Sequence, residues 1–332
     1  MPAPSWRPRS RPALRGGHTW PRDRGDRPMT ASLPSAGRPV AFVTGASRGM
    51  GAATAIALAE AGFDLAITAR TMREGDGRRD APWAGLTDRR TLPGSLEQVA
   101  LSVERTGARA LPVAMDLLDH DAVVRAADAA LDAYGRVDLV VNIGVYQGPG
   151  AMDYFLDTPI ELFERSLQAD VVAPAILLQQ LLPGMIERGS GTVMNMTSYV
   201  VVNDPPAAGP VHGWSVAYAA AKAGIDRFGS VLNVELGERG ITVYTLDPGF
   251  VSYGDALAEQ RRNYPDAPVS PPEAIGAAIA WLATTPEARQ LRTKRIYLPG
   301  LARKNGLLPG WAGPGSDYEP EGPATHDEEP LT

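Results

Sequence analysis

The chain has 332 residues, 44% hydrophobic and 21% charged, with a formal net charge of −6. Cysteine is absent, which excludes a disulfide scaffold, a thiolate zinc site, an iron–sulfur cluster and a cysteine nucleophile. The four histidines are scattered and give no metal site; the acidic balance argues against a nucleic-acid partner, and no run of 18 apolar residues suggests a membrane span.

Residues 1–38 carry eight arginines and seven prolines without apolar periodicity. Such a stretch cannot bury enough surface to offset its ordering entropy, so a disordered basic leader is expected, with Met29 as a candidate start. No apolar segment follows it, so it is not a secretory signal, and a cytoplasmic setting is expected. Residues 303–332 are rich in Gly, Pro, Asp and Glu and are expected to form a flexible acidic tail. The fold should therefore occupy 39–302 as a single domain.

Within that span strands and helices alternate. Val40–Thr44 is a short apolar run followed by a glycine-rich turn and an alanine-rich helix to about Gly62. Asp64–Thr68 reads as a second strand. Ser95, with Gln98 three residues on, has the spacing of a helix cap, and that helix should end near Thr106. Ala110–Met115 reads as a strand, 120–134 as an amphipathic helix closed by Gly135, and Leu139–Val141 as a strand. A helix over 160–187 is expected to kink at Pro174 and Pro183. Thr192–Met196 is a strand, Tyr218–Glu238 a helix, Thr242–Leu246 a strand, 272–283 a helix and Arg295–Leu298 a seventh strand. This alternation predicts an α/β, Rossmann-like, doubly wound parallel sheet of about seven strands, with near-continuous apolar strands because both faces are covered.

The turn Thr44-Gly45-Ala46-Ser47-Arg48-Gly49-Met50-Gly51 joins the first strand to the first helix. Gly45 permits the tight turn, Gly49 lets backbone approach a pyrophosphate, and Gly51 lets the helix pack on the sheet. The helix N-terminus then offers free N–H groups and a positive dipole end to phosphate.

The T-G-x-x-x-G-x-G spacing resembles that of the short-chain dehydrogenase/reductase family. Three further motifs follow in the expected order: Ser198 after the fifth strand, Tyr218-Ala219-Ala220-Ala221-Lys222 on the next helix, and Pro248-Gly249 after the sixth strand. The resemblance covers about residues 39–300. It implies carbonyl–alcohol interconversion by hydride transfer, with Tyr218 as general acid/base, Ser198 holding the substrate oxygen, and Lys222 serving both the tyrosine and the nicotinamide ribose. Tyr218 and Lys222 are four apart and share a helix face, and an ammonium beside a phenol, together with a positive nicotinamide ring, favours the phenolate. The family's relay asparagine falls on Asp170, and its N-N-A-G turn reads Asn142-Ile143-Gly144-Val145. These departures leave a second expectation open, a catalytically weak NADP-binding regulatory or redox-sensing protein.

Ala69-Arg70-Thr71 ends the second strand without an acid. Arg70, with Arg48 as a second clamp, therefore favours NADP, with NAD as the alternative. Asp116 matches an aspartate that contacts adenine, or else caps the next turn. On the resemblance, the cofactor set is Thr44, Gly45, Ser47, Arg48, Gly49, Met50, Gly51, Arg70, Asp116, Leu117, Asn142, Tyr218, Lys222, Pro248 and Gly249. The catalytic set is Ser198, Tyr218, Lys222 and Asp170.

Two insertions stand out. Residues 71–94 form a long, arginine-rich loop (Arg73, Arg78, Arg79, Arg89, Arg90), and Tyr199–Ala217 separates Ser198 from Tyr218. Tyr146, Tyr199, His212, Trp214, Phe250 and Tyr253 suggest an aromatic pocket for an apolar carbonyl or alcohol. Apolar residues on several faces of the helices at 160–187 (Ile176, Leu177, Leu178, Leu181, Leu182) and 218–238 (Ile225, Phe228, Val231, Leu232) point to a homodimer or homotetramer.

Overall fold

A computed structural model describes residues 37–77, 92–211, 213–252 and 268–314. The strands of the main sheet are β1 (Val40–Thr44), β2 (Asp64–Ala69), β3 (Ala110–Ala114), β4 (Leu139–Asn142), β5 (Gly191–Met196), β6 (Ile241–Asp247) and β9 (Arg295–Tyr297), and a two-residue pair, β7 (Phe250–Val251) and β8 (Val269–Ser270), lies outside it. The seven strands pair in parallel in the order β3-β2-β1-β4-β5-β6-β9. This is the doubly wound Rossmann-like sheet that the alternation predicts.

The helices are α1 (Gly49–Glu60), α2 (Leu96–Glu104), α3 (His120–Tyr134), α4 (Ile160–Leu167), α5 (Ala173–Arg188), α6 (Val216–Leu236), α7 (Pro272–Thr284) and α8 (Leu298–Lys304). Side chains of successive strand residues point to opposite faces. On β1, Ala41 and Val43 join the cluster of α1, α2 and α7 (Leu58, Leu96, Ile275, Ile279), whereas Val40 and Phe42 join that of α3 and α5 (Val123, Ala126, Leu177, Leu181). Burying one such large apolar side chain stabilises the fold by roughly 1.5–3 kcal/mol.

Local signals explain several helix ends. Ser95 caps α2 by accepting from Gln98 N at 3.2 Å, and Gly135 ends α3 in the left-handed conformation. Pro174 and Pro183, where kinks are expected, both lie in α5, which continues through Pro183. The regular α-helix is interrupted just before Pro174, in a π turn over Gln168–Val172 between α4 and α5.

Other boundaries also shift. The seventh strand stops at Tyr297, and Leu298 opens α8. The expected limit at 302 lies inside that helix, and Leu307, Leu308 and Trp311 pack, partly buried, against the core. Helix α6 starts at Val216 because Ser215 caps it. The most apolar 18-residue window of the helical stretch Ile160–Arg188 has a mean hydropathy of 1.4, so by length and composition alone this stretch is apolar enough to cross a membrane, a test that buried core helices also pass. Half of its most apolar window is buried within the protein, where Leu177, Leu181 and Met185 pack beside α3. The leader at 1–36, the middle of the first insertion with Arg78, Arg79, Arg89 and Arg90, His212, Tyr253 and the tail beyond 314 lie outside the described residues.

Candidate active site

Parallel strands bring their C-terminal ends to one edge, and the strand order reverses direction between β1 and β4, where α/β sheets place their ligands. At this point two turns touch. Gly45 has φ +68°, and a Cβ on it would lie 2.8 Å from the Gly144 Cα. Thr44 Oγ1 locks the same junction by accepting from Ile143 N and Gly144 N, both at 3.0 Å. The close contact therefore requires glycine at 45; a Cβ on Gly144 would instead meet Leu117 Cδ1 at 2.9 Å, so the glycine in the departure from N-N-A-G leaves room for Leu117. A side chain at Gly51 would collide with the Gly45 carbonyl, so the cradle depends on both glycines.

The first turn of α1 contains no acid, and no side chain caps it. Its N–H groups therefore stay available to an anion. Met50 is half-buried and packs on the core, and Ser47 is buried. Arg48 Nη2 donates to Thr71 Oγ1 at 3.0 Å and to Gly94 O at 3.2 Å. This holds the guanidinium beside the end of β2, next to exposed Arg70. Leu92 N donates to Gly77 O at 3.0 Å and closes the base of the first insertion. Asp116 accepts from Leu118 N at 3.0 Å, so it does cap the next turn. Leu117 packs toward Gly144, and its carbonyl accepts from Gln168 Nε2 at 3.4 Å. Asn142 is 5% exposed and donates to Asn195 Oδ1 at 2.9 Å, so it braces β4 against β5.

Ser198 follows β5 in extended backbone and is buried, with its Oγ accepting from Val200 N at 3.5 Å. Ser215 Oγ accepts from Tyr218 N at 3.2 Å and fixes the first turn of α6. One turn on, Lys222 is buried. Its Nζ donates to Met196 O at 3.2 Å, pairs with Asp170 Oδ2 at 3.2 Å and lies 5.9 Å from the centroid of the Tyr218 ring. Thr197 Oγ1 donates to the Lys222 carbonyl at 3.3 Å and ties the end of β5 to α6.

Asp170 reaches Lys222 from the π turn, and Gly224 leaves room for the neighbouring Val171 to approach α6. Tyr146 N donates to Asp170 Oδ1 at 3.4 Å. Burial raises the Asp170 pKa against the pull of Lys222. Burial also opposes the Lys222 ammonium, but Asp170 and Tyr218 outweigh it, and the lysine pKa is raised. The two raised values pull the pair in opposite directions. Geometry favours the ion pair: the ammonium has two oxygen partners, and the carboxylate also accepts from Tyr146 N.

Of the six aromatic residues expected around the substrate, three meet. The Tyr199 ring lies 5.3 Å from Trp214, edge-on, and 5.4 Å from Phe250. Tyr146 is committed elsewhere: its ring covers Gly148, and its hydroxyl accepts from Arg165 Nη1 at 3.3 Å. The sequence reading missed the Thr44 lock, the Gly45–Gly144 contact and Asp247, which ends β6 beside Pro248-Gly249. For Asp247 the available signal was an acid at the end of an otherwise apolar strand.

Residues 88–265 match the model of the short chain dehydrogenase family. The chain belongs to the short-chain dehydrogenase/reductase family. It is 31% identical over 253 residues to a cis-4-hydroxycyclohexanecarboxylate dehydrogenase of Sinomonas cyclohexanicum, covering 74% of this chain and 89% of that protein. It is 30% identical over 213 residues to a short chain dehydrogenase of Pseudocercospora fijiensis, covering 64% of this chain and 59% of the length of that relative. A metagenomic short-chain oxidoreductase solved in complex with NADP superposes with a TM-score of 0.56 at 27% identity, covering 75% of this chain and 92% of the other. The protein is an oxidoreductase of this family.

Asp170→Ala leaves the Lys222 ammonium buried with only Met196 O, and loss of one partner of a buried pair costs about 3–5 kcal/mol. Asp170→Asn keeps an acceptor and costs less. The contribution of Lys222, whose pKa is raised above 10.5, is fully present below pH 10.5 and is lost as pH rises further. Urea unfolding at pH 7 tests the ranking: equal stability of wild type and Asp170→Ala would remove the structural role of the pair.

Proposed function

We propose that the protein is an NADP-dependent oxidoreductase that interconverts a carbonyl and a secondary alcohol, with Tyr218 as general acid/base. The observation that carries this reading is the buried Lys222 ammonium held 5.9 Å from the Tyr218 ring, on the helix packed beside the strand end that carries Ser198. The nicotinamide, when bound, supplies or accepts the hydride. Ser198 Oγ holds the substrate oxygen. The Tyr218 hydroxyl gives its proton to that oxygen during reduction and takes it back during oxidation. Lys222 favours the phenolate, and Asp170 with Met196 O keeps the lysine in place. The two features that suggested a catalytically weak protein leave this chemistry in place: Asp170 anchors Lys222, and Gly144 gives room to Leu117 beside the glycine turn.

Arg48, fixed beside Thr71, and Arg70 at the end of β2 support a clamp for the 2′-phosphate of NADP, and the NADP complex of the related oxidoreductase agrees with it. The Tyr199–Trp214–Phe250 cluster supports an apolar carbonyl or alcohol as substrate.

The reading includes a homodimer or homotetramer. Much of the apolar surface expected to drive it is consumed within one chain, since Leu177, Leu178, Leu181 and Ile225 are buried. Val231 and Val234 of α6, 47% and 85% exposed, remain as a candidate contact. Light scattering at micromolar concentration should give a dimer or larger; a monomer would exclude this part.

Tyr218→Phe keeps the ring and helix but removes the hydroxyl. kcat for oxidation of secondary alcohols should fall by about 10²–10⁴-fold, the usual contribution of a general acid. NADPH binding, read by fluorescence, should barely change. Near wild-type turnover by this variant would defeat the mechanism.

Arg70→Asp should shift the cofactor preference from NADPH toward NADH. A charged hydrogen bond contributes ~1.5–3 kcal/mol, so the ratio of kcat/KM values should move by about ten- to a hundredfold. An unchanged ratio would take Arg70 out of the clamp.

A further inference from the structure

The neck of the first insertion is built around one arginine. Its outgoing leg, 71–77, and its returning leg, 92–97, are joined by bonds from Leu96 N to Thr71 O and from Glu97 N to Met72 O, both at 3.1 Å, and from Leu92 N to Gly77 O at 3.0 Å. Arg48, from the glycine turn, reaches both legs. Its Nη2 donates to Thr71 Oγ1 on the outgoing leg at 3.0 Å and to Gly94 O on the returning leg at 3.2 Å. Each leg has a glycine where it passes the arginine. A Cβ on Gly77 would collide with the guanidinium, and a Cβ on Gly94, at φ +95°, would lie 2.7 Å from Ser47 O and 3.1 Å from Arg48 Cβ. The returning leg therefore rests directly on the backbone of the glycine turn.

Gly94 is held from both sides. Its carbonyl accepts from Arg48, and its N–H donates to Glu74 Oε2 at 2.9 Å. Glu74 is exposed and lies on the outgoing leg, in a short turn closed by Asp76 N, which donates to Arg73 O at 3.2 Å, and by Asp76 Oδ2, which accepts from Arg73 N at 3.3 Å. Arg73 also crosses the neck, pairing with Glu97 at 3.4 Å, but both partners are exposed and such a pair contributes little. With its N–H fixed by Glu74, Gly94 has its carbonyl fixed in direction. That carbonyl and Thr71 Oγ1, which is buried, then fix the planar fork of Arg48 beside exposed Arg70.

We propose that Glu74 is a positioning residue for the cofactor: through Gly94 it sets the Arg48 guanidinium for the 2′-phosphate of NADP, so the neck of the insertion takes part in the choice between the two dinucleotides. The inference rests on the NADP reading. By its charge alone an acid near this place would favour the 2′-hydroxyl of NAD. The bond to Gly94 has the opposite effect, and substitution separates the two.

Dissociation constants for NADPH and NADH, read by the fluorescence of the reduced cofactor on the full-length protein, test this without turnover. Wild type should bind NADPH more tightly. Glu74→Ala removes the acceptor, and the Kd for NADPH should rise about fivefold, the usual effect of one hydrogen bond, with that for NADH within about twofold of wild type. Glu74→Gln keeps an acceptor without the charge and should stay within about twofold of wild type for both. Arg48→Ala should also weaken NADPH binding, and adding Glu74→Ala to it should change nothing further, because the acid acts through the arginine. Five results overturn the role of Glu74 and leave a preference for NADPH standing: an NADPH constant in Glu74→Ala that is unchanged or lower, an equal rise for both dinucleotides, a Glu74→Gln variant as weak as Glu74→Ala, an Arg48→Ala variant that binds NADPH like wild type, or a further loss in the double variant. A wild type that binds NADPH no more tightly than NADH fails the NADP reading itself, and the proposal with it.

Discussion

A lysine ammonium buried beside a phenol is the constraint on which the catalytic edge depends. Removing an ammonium from water costs several kcal/mol unless oxygen atoms replace the lost hydration. Here Met196 O and the Asp170 carboxylate replace it, each at 3.2 Å. Each partner imposes a demand on a different element. The Met196 carbonyl must face the lysine at the end of β5, and Asp170 must point inward from the helical stretch before α5. The π turn over Gln168–Val172 meets the second demand, and Gly224 lets that turn approach α6 closely. The Tyr146 N–H then takes the remaining carboxylate oxygen, which couples the loop after β4 to the same ion pair.

Charge is distributed by strand polarity. At the N-terminal ends of the strands, buried Asp64 bonds Arg109 at 2.7 Å and lies 3.6 Å from Arg38, while Asp138 bonds Arg136, Arg188 and Val40 N. These groups lie at the opposite strand ends from the candidate chemistry and fasten the chain where strands begin. At the C-terminal ends the backbone itself is exposed to a ligand, with glycines at 45, 49 and 51 and an uncapped helix start. One edge is thus closed by ion pairs and the other is left open for an anion, as open α/β sheets require.

The sheet was legible because its strands are short apolar runs set between helical segments, and a strand covered on both faces must look that way. The cradle and the Tyr218 and Lys222 positions were legible because local spacing marks them: three glycines in one turn, and two side chains four apart on a helix; Ser198 was legible only through the family resemblance and its place after the fifth strand. What stayed hidden depends on contacts distant in sequence. No local pattern marks the bonds from Thr44 across 99 and 100 residues to the next turn, or the fit of Gly144 against Gly45. An interruption near Pro174 was expected from the rule about prolines in helix interiors, but its form, a π turn over Gln168–Val172, has no mark in the local sequence. The apolar faces of α5 and α6 were read as surface because the packing of α3 against α5 cannot be seen from either helix alone.

The π turn also sets a rotational phase. A residue adds 100° around an α-helix, so an extra one changes which side of the following segment meets its neighbours. With the wider turn in place, α4 buries Leu162 and Ser166, Asp170 faces Lys222, and α5 still presents Leu177, Leu181 and Met185 to α3. A chain shortened by one residue between 168 and 172 could regain an uninterrupted α-helix, but it would have to choose between two registers. One keeps the acid at the lysine and swings the α5 leucines out of the core; the other keeps the core and turns the acid away. The length of this short segment is therefore a gear setting between the packing of one helix layer and the charge at the catalytic edge.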